Sequence, residues 1–192
     1  MTKSKKILGI LVCLLLIACA VGNIYVIINK HQKAYTLITA LIAFLAILAA
    51  LYYAFRGYAK NAAPAYKTYM ILCALHFQSL AADLGDNGIL TYSMQKAEVA
   101  PMILISCLLF GLMLLLSVAK DLGKGMTRTI SIISLVAAVA FLVVTLFGMG
   151  HYADDSAAFV LVQGAVTGVL LVFVAGFMAE LKYIDKEERG TK

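Results

Sequence analysis

Six apolar runs, each about 20 residues long, divide this sequence and limit what it can fold into. A helix of that length is long enough to cross the hydrocarbon core of a bilayer, which is about 30 Å thick. Only 14% of the residues are charged, whereas soluble domains average about 25%. The sequence therefore predicts an all-α integral membrane protein, with six transmembrane helices in one compact bundle. The predicted spans are residues 7–28, 35–55, 65–82, 99–119, 130–148 and 157–179.

The sixteen Lys and Arg residues are distributed unevenly among the loops, and this distribution predicts the orientation. Lys30 and Lys33 lie in the loop after the first run and Lys96 in the loop after the third, whereas the loop after the fifth has neither Lys nor Arg. The other thirteen lie at the two ends and in the remaining loops. Because cytoplasmic loops carry the excess of Lys and Arg, the side with thirteen is predicted to be cytoplasmic. Without a third span the split would fall to seven against nine. The third run, the least apolar, is therefore predicted to span as well.

This orientation accounts for the basic character of the chain, which has a net charge of +6 and a pI near 9.1. Basic residues concentrated on one side of a membrane, thirteen against three, give no support to nucleic-acid binding. We expect a multi-pass plasma-membrane protein of a prokaryote-like cell, with both termini in the cytoplasm and the lipid bilayer as its partner. Residues 180–192 are expected to form a short charged cytoplasmic tail.

The third run carries a polar stripe, because Tyr69, His76 and Asp83 recur every seven residues and Cys73 and Ser79 flank them. Ionisable groups inside a membrane are costly, and they usually face the bundle interior, a water-filled cavity or a partner. His76 is therefore the first candidate for a site, on a polar path that opens to the outside. In the alternative interpretation, a neutral His76 forms a hydrogen bond to a neighbouring helix and serves packing.

Two carboxamides extend the candidate binding site, since Asn23 in the first run and Gln163 in the sixth both donate and accept hydrogen bonds. Such groups suit a small polar ligand. The predicted substrate-binding residues are therefore His76, Asp83, Tyr69, Asn23 and Gln163.

Acidic residues and a histidine gather at the predicted outer rim, where oxygen ligands and an imidazole could hold a divalent cation. The candidate metal ligands are Asp83, Asp86, His151, Asp154 and Asp155. A solvated acidic turn is the alternative, because Asp, Asn and Gly are ordinary turn residues. His76 and His151 are also the two histidines available for a haem. The sequence leaves the cofactor undecided.

Small residues form two seams, which allow helices to approach closely. One seam includes Ala46 and Ala50 in the second run, and the other consists of Gly164, Gly168 and Gly176 in the sixth. Gly164 and Gly168 form a GxxxG motif. The seams fit internal packing, self-association or the docking of another membrane subunit.

The N-terminal segment has two interpretations. Basic residues, an apolar stretch and the tetrapeptide ending at Cys19 resemble a lipoprotein signal with its acylated cysteine. In the other interpretation, the apolar run continues through Cys19 to Ile28 and forms a complete span.

No Walker loop, Rossmann fingerprint, HExxH or GxSxG motif is present, so no soluble-type catalytic signature supports an enzyme. The leading hypothesis is a transport protein, or a substrate-capturing membrane subunit of a transporter, for a small solute or ion. In size and orientation the chain is similar to the substrate-binding components of energy-coupling vitamin transporters, a likeness of fold class that no signature residue carries. The alternatives are a membrane-embedded enzyme that acts on a lipid at the outer rim and a non-catalytic membrane partner.

Overall fold

The computed structural model describes residues 62–89, 94–118, 122–148 and 155–190, together with isolated positions between residues 7 and 48. The continuous ranges contain four α-helices: α1 (Ala62–Asn87), α2 (Lys96–Val118), α3 (Lys124–Gly148) and α4 (Asp155–Gly190). The predicted all-α class is confirmed for these ranges.

Three of the described helices are long and apolar enough to cross a membrane. They are α2, α3 and the part of α4 from Ala158 to Ala179. Their outward faces carry large apolar side chains such as Leu104, Val136 and Phe147, the last of which is 82% exposed. A surface of this kind suits lipid and would be unfavourable in water. The predicted transmembrane character is therefore supported for these helices, whereas the count of six spans stays a prediction.

The first described helix, α1, is less apolar than the other three and is not among the candidate spans. Its sequence includes Lys67, His76, Gln78, Asp83 and Asp86. Polar side chains of this kind must be covered by neighbouring helices if α1 is to lie in a bilayer. Whether α1 can lie in a bilayer therefore depends on how far neighbouring helices cover these side chains.

The four helices form a ring in which consecutive helices are neighbours. α1 packs against α2, α2 against α3, α3 against α4, and α4 closes the ring against α1. Short connections make consecutive helices antiparallel, so α1 and α4 are antiparallel too. One apolar cluster inside the ring includes Tyr69, Phe77, Leu109 and Leu171, and a second includes Met102 and Phe141.

The turn from α1 to α2 depends on Gly88, which directly follows the last residue of α1. Its amide N–H donates to the Leu84 carbonyl at 2.9 Å, and its carbonyl accepts from the Met94 N–H at 2.9 Å. A Cβ atom at Gly88 would collide with that Leu84 carbonyl oxygen and would lie 3.0 Å from a Val99 methyl group. Only glycine fits this close approach of the two helices.

All four described helices begin before their predicted spans, and two of them, α1 and α4, also end after them. α1 ends at Asn87, so Asp83 and Asp86 belong to its last turns. α4 continues beyond Ala179 to Gly190, so the backbone of the predicted cytoplasmic tail is helical as far as Gly190. Residues 180–189 contain neither Pro nor Gly and are rich in Glu, Lys and Arg, which favour helix.

Candidate functional site

The polar stripe of α1 faces the interior of the ring. Tyr69, Cys73 and His76 are buried, whereas Ser79 and Asp83 are half-buried nearer the α1–α2 turn. Their spacing places them on one side of the helix, and Tyr69 and His76 on this side contact α4. Tyr69 and His76 are therefore turned away from lipid.

Two hydrogen bonds join this stripe to the backbone of α4. The Tyr69 hydroxyl donates to the Leu171 carbonyl at 2.9 Å, and His76 Nε2 lies 3.2 Å from the Gly164 carbonyl oxygen. The two donors are seven residues apart on α1, and the two acceptors are seven residues apart on α4. Because a carbonyl oxygen has two lone pairs, each can accept these bonds in addition to its own helical bond.

Glycines in α4 make this approach possible. A Cβ atom at Gly164 would lie 2.9 Å from a Leu80 methyl carbon, and one at Gly168 would lie 2.9 Å from the Phe77 ring. The same Cβ at Gly168 would be 3.7 Å from His76 Nε2. The GxxxG motif is therefore filled by α1 of the same chain.

The third glycine of the predicted seam faces a different helix. A Cβ atom at Gly176 would lie 3.7 Å from the Cβ atom of Ser131 in α3, which is an ordinary contact. The seam thus divides between two neighbours: Gly164 and Gly168 face α1, and Gly176 faces α3.

The other imidazole nitrogen, His76 Nδ1, has no hydrogen-bond partner among the described residues. A carbonyl oxygen only accepts hydrogen bonds, so the bond to Gly164 requires the proton on Nε2. In the neutral ring Nδ1 then carries a lone pair. The ring of Phe77 packs edge-on against this imidazole, with a centroid distance of 5.5 Å and an interplanar angle of 72°.

Ser106 Oγ in α2 is a second buried polar atom that has no hydrogen-bond partner among the described residues. The hydroxyl of Ser117 donates to the Lys67 carbonyl at 3.5 Å, which fixes the register of the antiparallel helices α1 and α2. Ser106, eleven residues before Ser117, is therefore level with residue 78. Residue 78 is two positions from His76 in α1. At about 1.5 Å per residue, Ser106 and His76 therefore differ in level along the helix axes by about 3 Å.

Sequence reasoning did not place Ser106 in the site, because a lone serine in an apolar run usually bonds its own helix. Ser134 and Thr145 in α3 do so, since their hydroxyls donate to the carbonyls of Ile130 and Phe141, each at 2.8 Å. The register of the α1–α2 hairpin is the signal that places Ser106 at nearly the same level along the helix axes as His76.

The remaining predicted site residues are partly outside the described ranges. Gln163 is buried beside Gly164 in α4, Asp83 is half-buried and Asp86 is exposed. Asp155 begins α4, and only its backbone is described. The predictions for Asn23, Cys19, Ala46, Ala50, His151 and Asp154 lie outside the described residues.

Within the described ranges, no group of three or more His, Cys, Asp or Glu side chains is placed to hold a metal ion. The proposed cation site at the outer rim depends also on His151, Asp154 and the side chain of Asp155. It therefore stays a prediction, as does a haem held by His76 and His151.

The fold and this site define the chain as an α-helical membrane protein whose buried polar groups lie between helices. No protein-family model matches the sequence, and neither a curated protein nor a solved structure matches it. Any function must therefore be argued from the residues themselves.

We predict that Gly168→Ala destabilises the fold, because the added methyl group would meet the Phe77 ring, which is only 1% exposed and has little room to move. Overpacking of this kind typically costs about 1–3 kcal/mol. Thermal unfolding in detergent, followed by circular dichroism, should show a lower midpoint.

Gly176→Ala is the matched control for this prediction, because its methyl group would meet only an ordinary contact. Its midpoint should stay at or above that of the unmodified protein, since Ala favours helix over Gly. Equal midpoints for the two variants would contradict the close approach at Gly168.

Proposed function

We propose that this chain is a plasma-membrane transport protein, or the substrate-capturing membrane subunit of a transporter, that takes a small solute at His76. The observation that carries the proposal is the buried His76 Nδ1, which has no partner among the described residues. A buried polar atom without a hydrogen bond costs about 1–3 kcal/mol. Such atoms are retained where a ligand, an ion or a water molecule serves as the partner.

In this function the chain crosses the membrane six times, with both termini in the cytoplasm. The thirteen-to-three division of Lys and Arg supports this arrangement. So do eleven isolated described positions between residues 7 and 48, all of which are helical. Ile17 and Phe44 among them pack against the larger apolar cluster, whereas Leu11 and Leu41 are exposed. A membrane helix typically has one side that packs against the bundle and another side that faces lipid.

The topology can be tested with single cysteines at Lys96 and Gly125, in a chain whose four native cysteines are replaced by alanine. Both positions are exposed. A membrane-impermeant thiol reagent should label Lys96→Cys in intact cells, and should label Gly125→Cys only after the membrane is opened. If α1 does not span, both positions exchange sides, and the opposite labelling would overturn the six-span arrangement.

The geometry favours binding over acid–base catalysis. An enzyme at the outer rim would use His76 with Asp83 or Asp86 as a proton-transferring pair. Asp83 is seven residues from His76 on the same helix, or about 10 Å along its axis. Proton transfer requires heavy atoms about 2.6–3.2 Å apart or one bridging water. Neither carboxylate meets this requirement.

The geometry also limits the third interpretation, a chain that only docks against another membrane protein. A docking surface of small residues would have to be open, but Leu80 and Phe77 already fill the spaces at Gly164 and Gly168. Self-association or partner docking would need a different surface.

The test of the function is native mass spectrometry of gently extracted protein, in which bound small molecules are compared between variants. In His76→Gln, the amide nitrogen of Gln occupies the position of Nε2 and can still donate to the Gly164 carbonyl. No acceptor replaces Nδ1. We expect the unmodified protein to carry a small polar molecule, and His76→Gln to be folded but to retain at least about tenfold less of it, as loss of a buried polar contact implies.

Ser134→Ala is the control, because this buried hydroxyl bonds the Ile130 carbonyl of its own helix and takes no part in the contact between α1 and α4. This variant should retain the bound molecule. Equal retention in His76→Gln, or the absence of any bound molecule from the unmodified protein, would leave His76 as a helix-packing residue and refute the proposed function.

A further inference from the structure

The hydrogen bond to Gly164 determines what His76 can offer to a ligand. Because the carbonyl can only accept, the proton is on Nε2 and Nδ1 can only accept as well. A doubly protonated ring would put a charge among apolar side chains, and an unpaired buried charge is strongly unfavourable. His76 therefore presents a lone pair and no N–H to its surroundings at Nδ1.

Ser106 complements this acceptor. Its hydroxyl is fully buried and lacks a partner among the described residues. The register of α1 against α2 places it within about 3 Å of the level of His76 along the helix axes. A serine hydroxyl can donate one hydrogen bond and accept others. A ligand that lies between α1 and α2 at this depth could donate to Nδ1 and exchange a second hydrogen bond with the serine.

We infer that the ligand is a neutral hydrogen-bond donor of the primary-amide or alcohol class, bound by His76 Nδ1 as acceptor and by Ser106 Oγ. The inference rests on the proposed function, and it narrows the solute to one chemical class. A carboxylate or phosphate oxygen is disfavoured, because two lone pairs would face each other without a proton between them. An amide N–H or an alcohol O–H supplies that proton.

The experiment uses the full-length protein in lipid nanodiscs, with its three histidines labelled with nitrogen-15 in the ring. The signals of His76 are those that disappear in His76→Gln. Acetamide and acetate are the probes, because they are similar in size and differ in whether they donate a hydrogen bond or carry a negative charge. We expect Nδ1 to resonate as an unprotonated nitrogen and to shift on addition of acetamide but not of acetate.

Ser106→Ala should weaken the response to acetamide about threefold to tenfold, as loss of one hydrogen bond implies. Ser134→Ala is the control, because that hydroxyl bonds its own helix and should leave the response unchanged. A protonated Nδ1, an equal shift with acetate, or no shift with either probe would overturn the inference.

The two proposals fail in different ways. If His76→Gln loses a bound molecule that proves to be an anion, the proposed function holds and the ligand class is wrong. If acetamide shifts Nδ1 but His76→Gln retains the natural bound molecule, the ligand chemistry holds and the proposed function is wrong.

Discussion

The contact between the polar stripe of α1 and the glycines of α4 is the interaction on which the rest of this structure depends. In a bilayer no water is available for exposed polar groups, so each must find a partner inside the protein. Tyr69 and His76 find theirs in the carbonyls of Leu171 and Gly164. Because Gly168 has no side chain, the Phe77 ring and the imidazole reach the α4 backbone. This contact buries two polar side chains of α1, the least apolar described helix, against the backbone of α4.

The same contact closes the ring of helices and gives His76 its chemical character. Since α1 and α4 are the first and last of the four described helices, their pairing completes the ring in which α2 and α3 are the other two neighbours. The Gly164 carbonyl holds the proton of the imidazole on Nε2 and leaves Nδ1 as an acceptor. A packing interaction thus fixes the face that a ligand would meet, and a single side chain can serve both packing and binding.

Part of this arrangement could be predicted from the sequence. The seven-residue recurrence of Tyr69 and His76 predicted a shared face, and both side chains are buried on it. The spacing of Gly164 and Gly168 predicted a close approach, but not the helix that makes it, because a small-residue surface accepts many partners. Helix ends were underestimated, since an apolar run measures the thickness of the hydrocarbon core and not the full length of the helix. Ser106 was missed, because the level at which it lies beside α1 depends on the register between two helices.

The most direct test of the central claim, that the polar stripe of α1 faces the glycines of α4, is disulfide formation between Leu80→Cys and Gly164→Cys. A Cβ atom at Gly164 would contact the Leu80 side chain, so mild oxidation should join the pair within one chain, as peptide mass spectrometry would detect. The matched pair combines Leu80→Cys with Gly176→Cys. Gly176 is about 18 Å further along α4 than Gly164, so this pair should not form the bond. Bond formation in both pairs, or in the second alone, would contradict the claim.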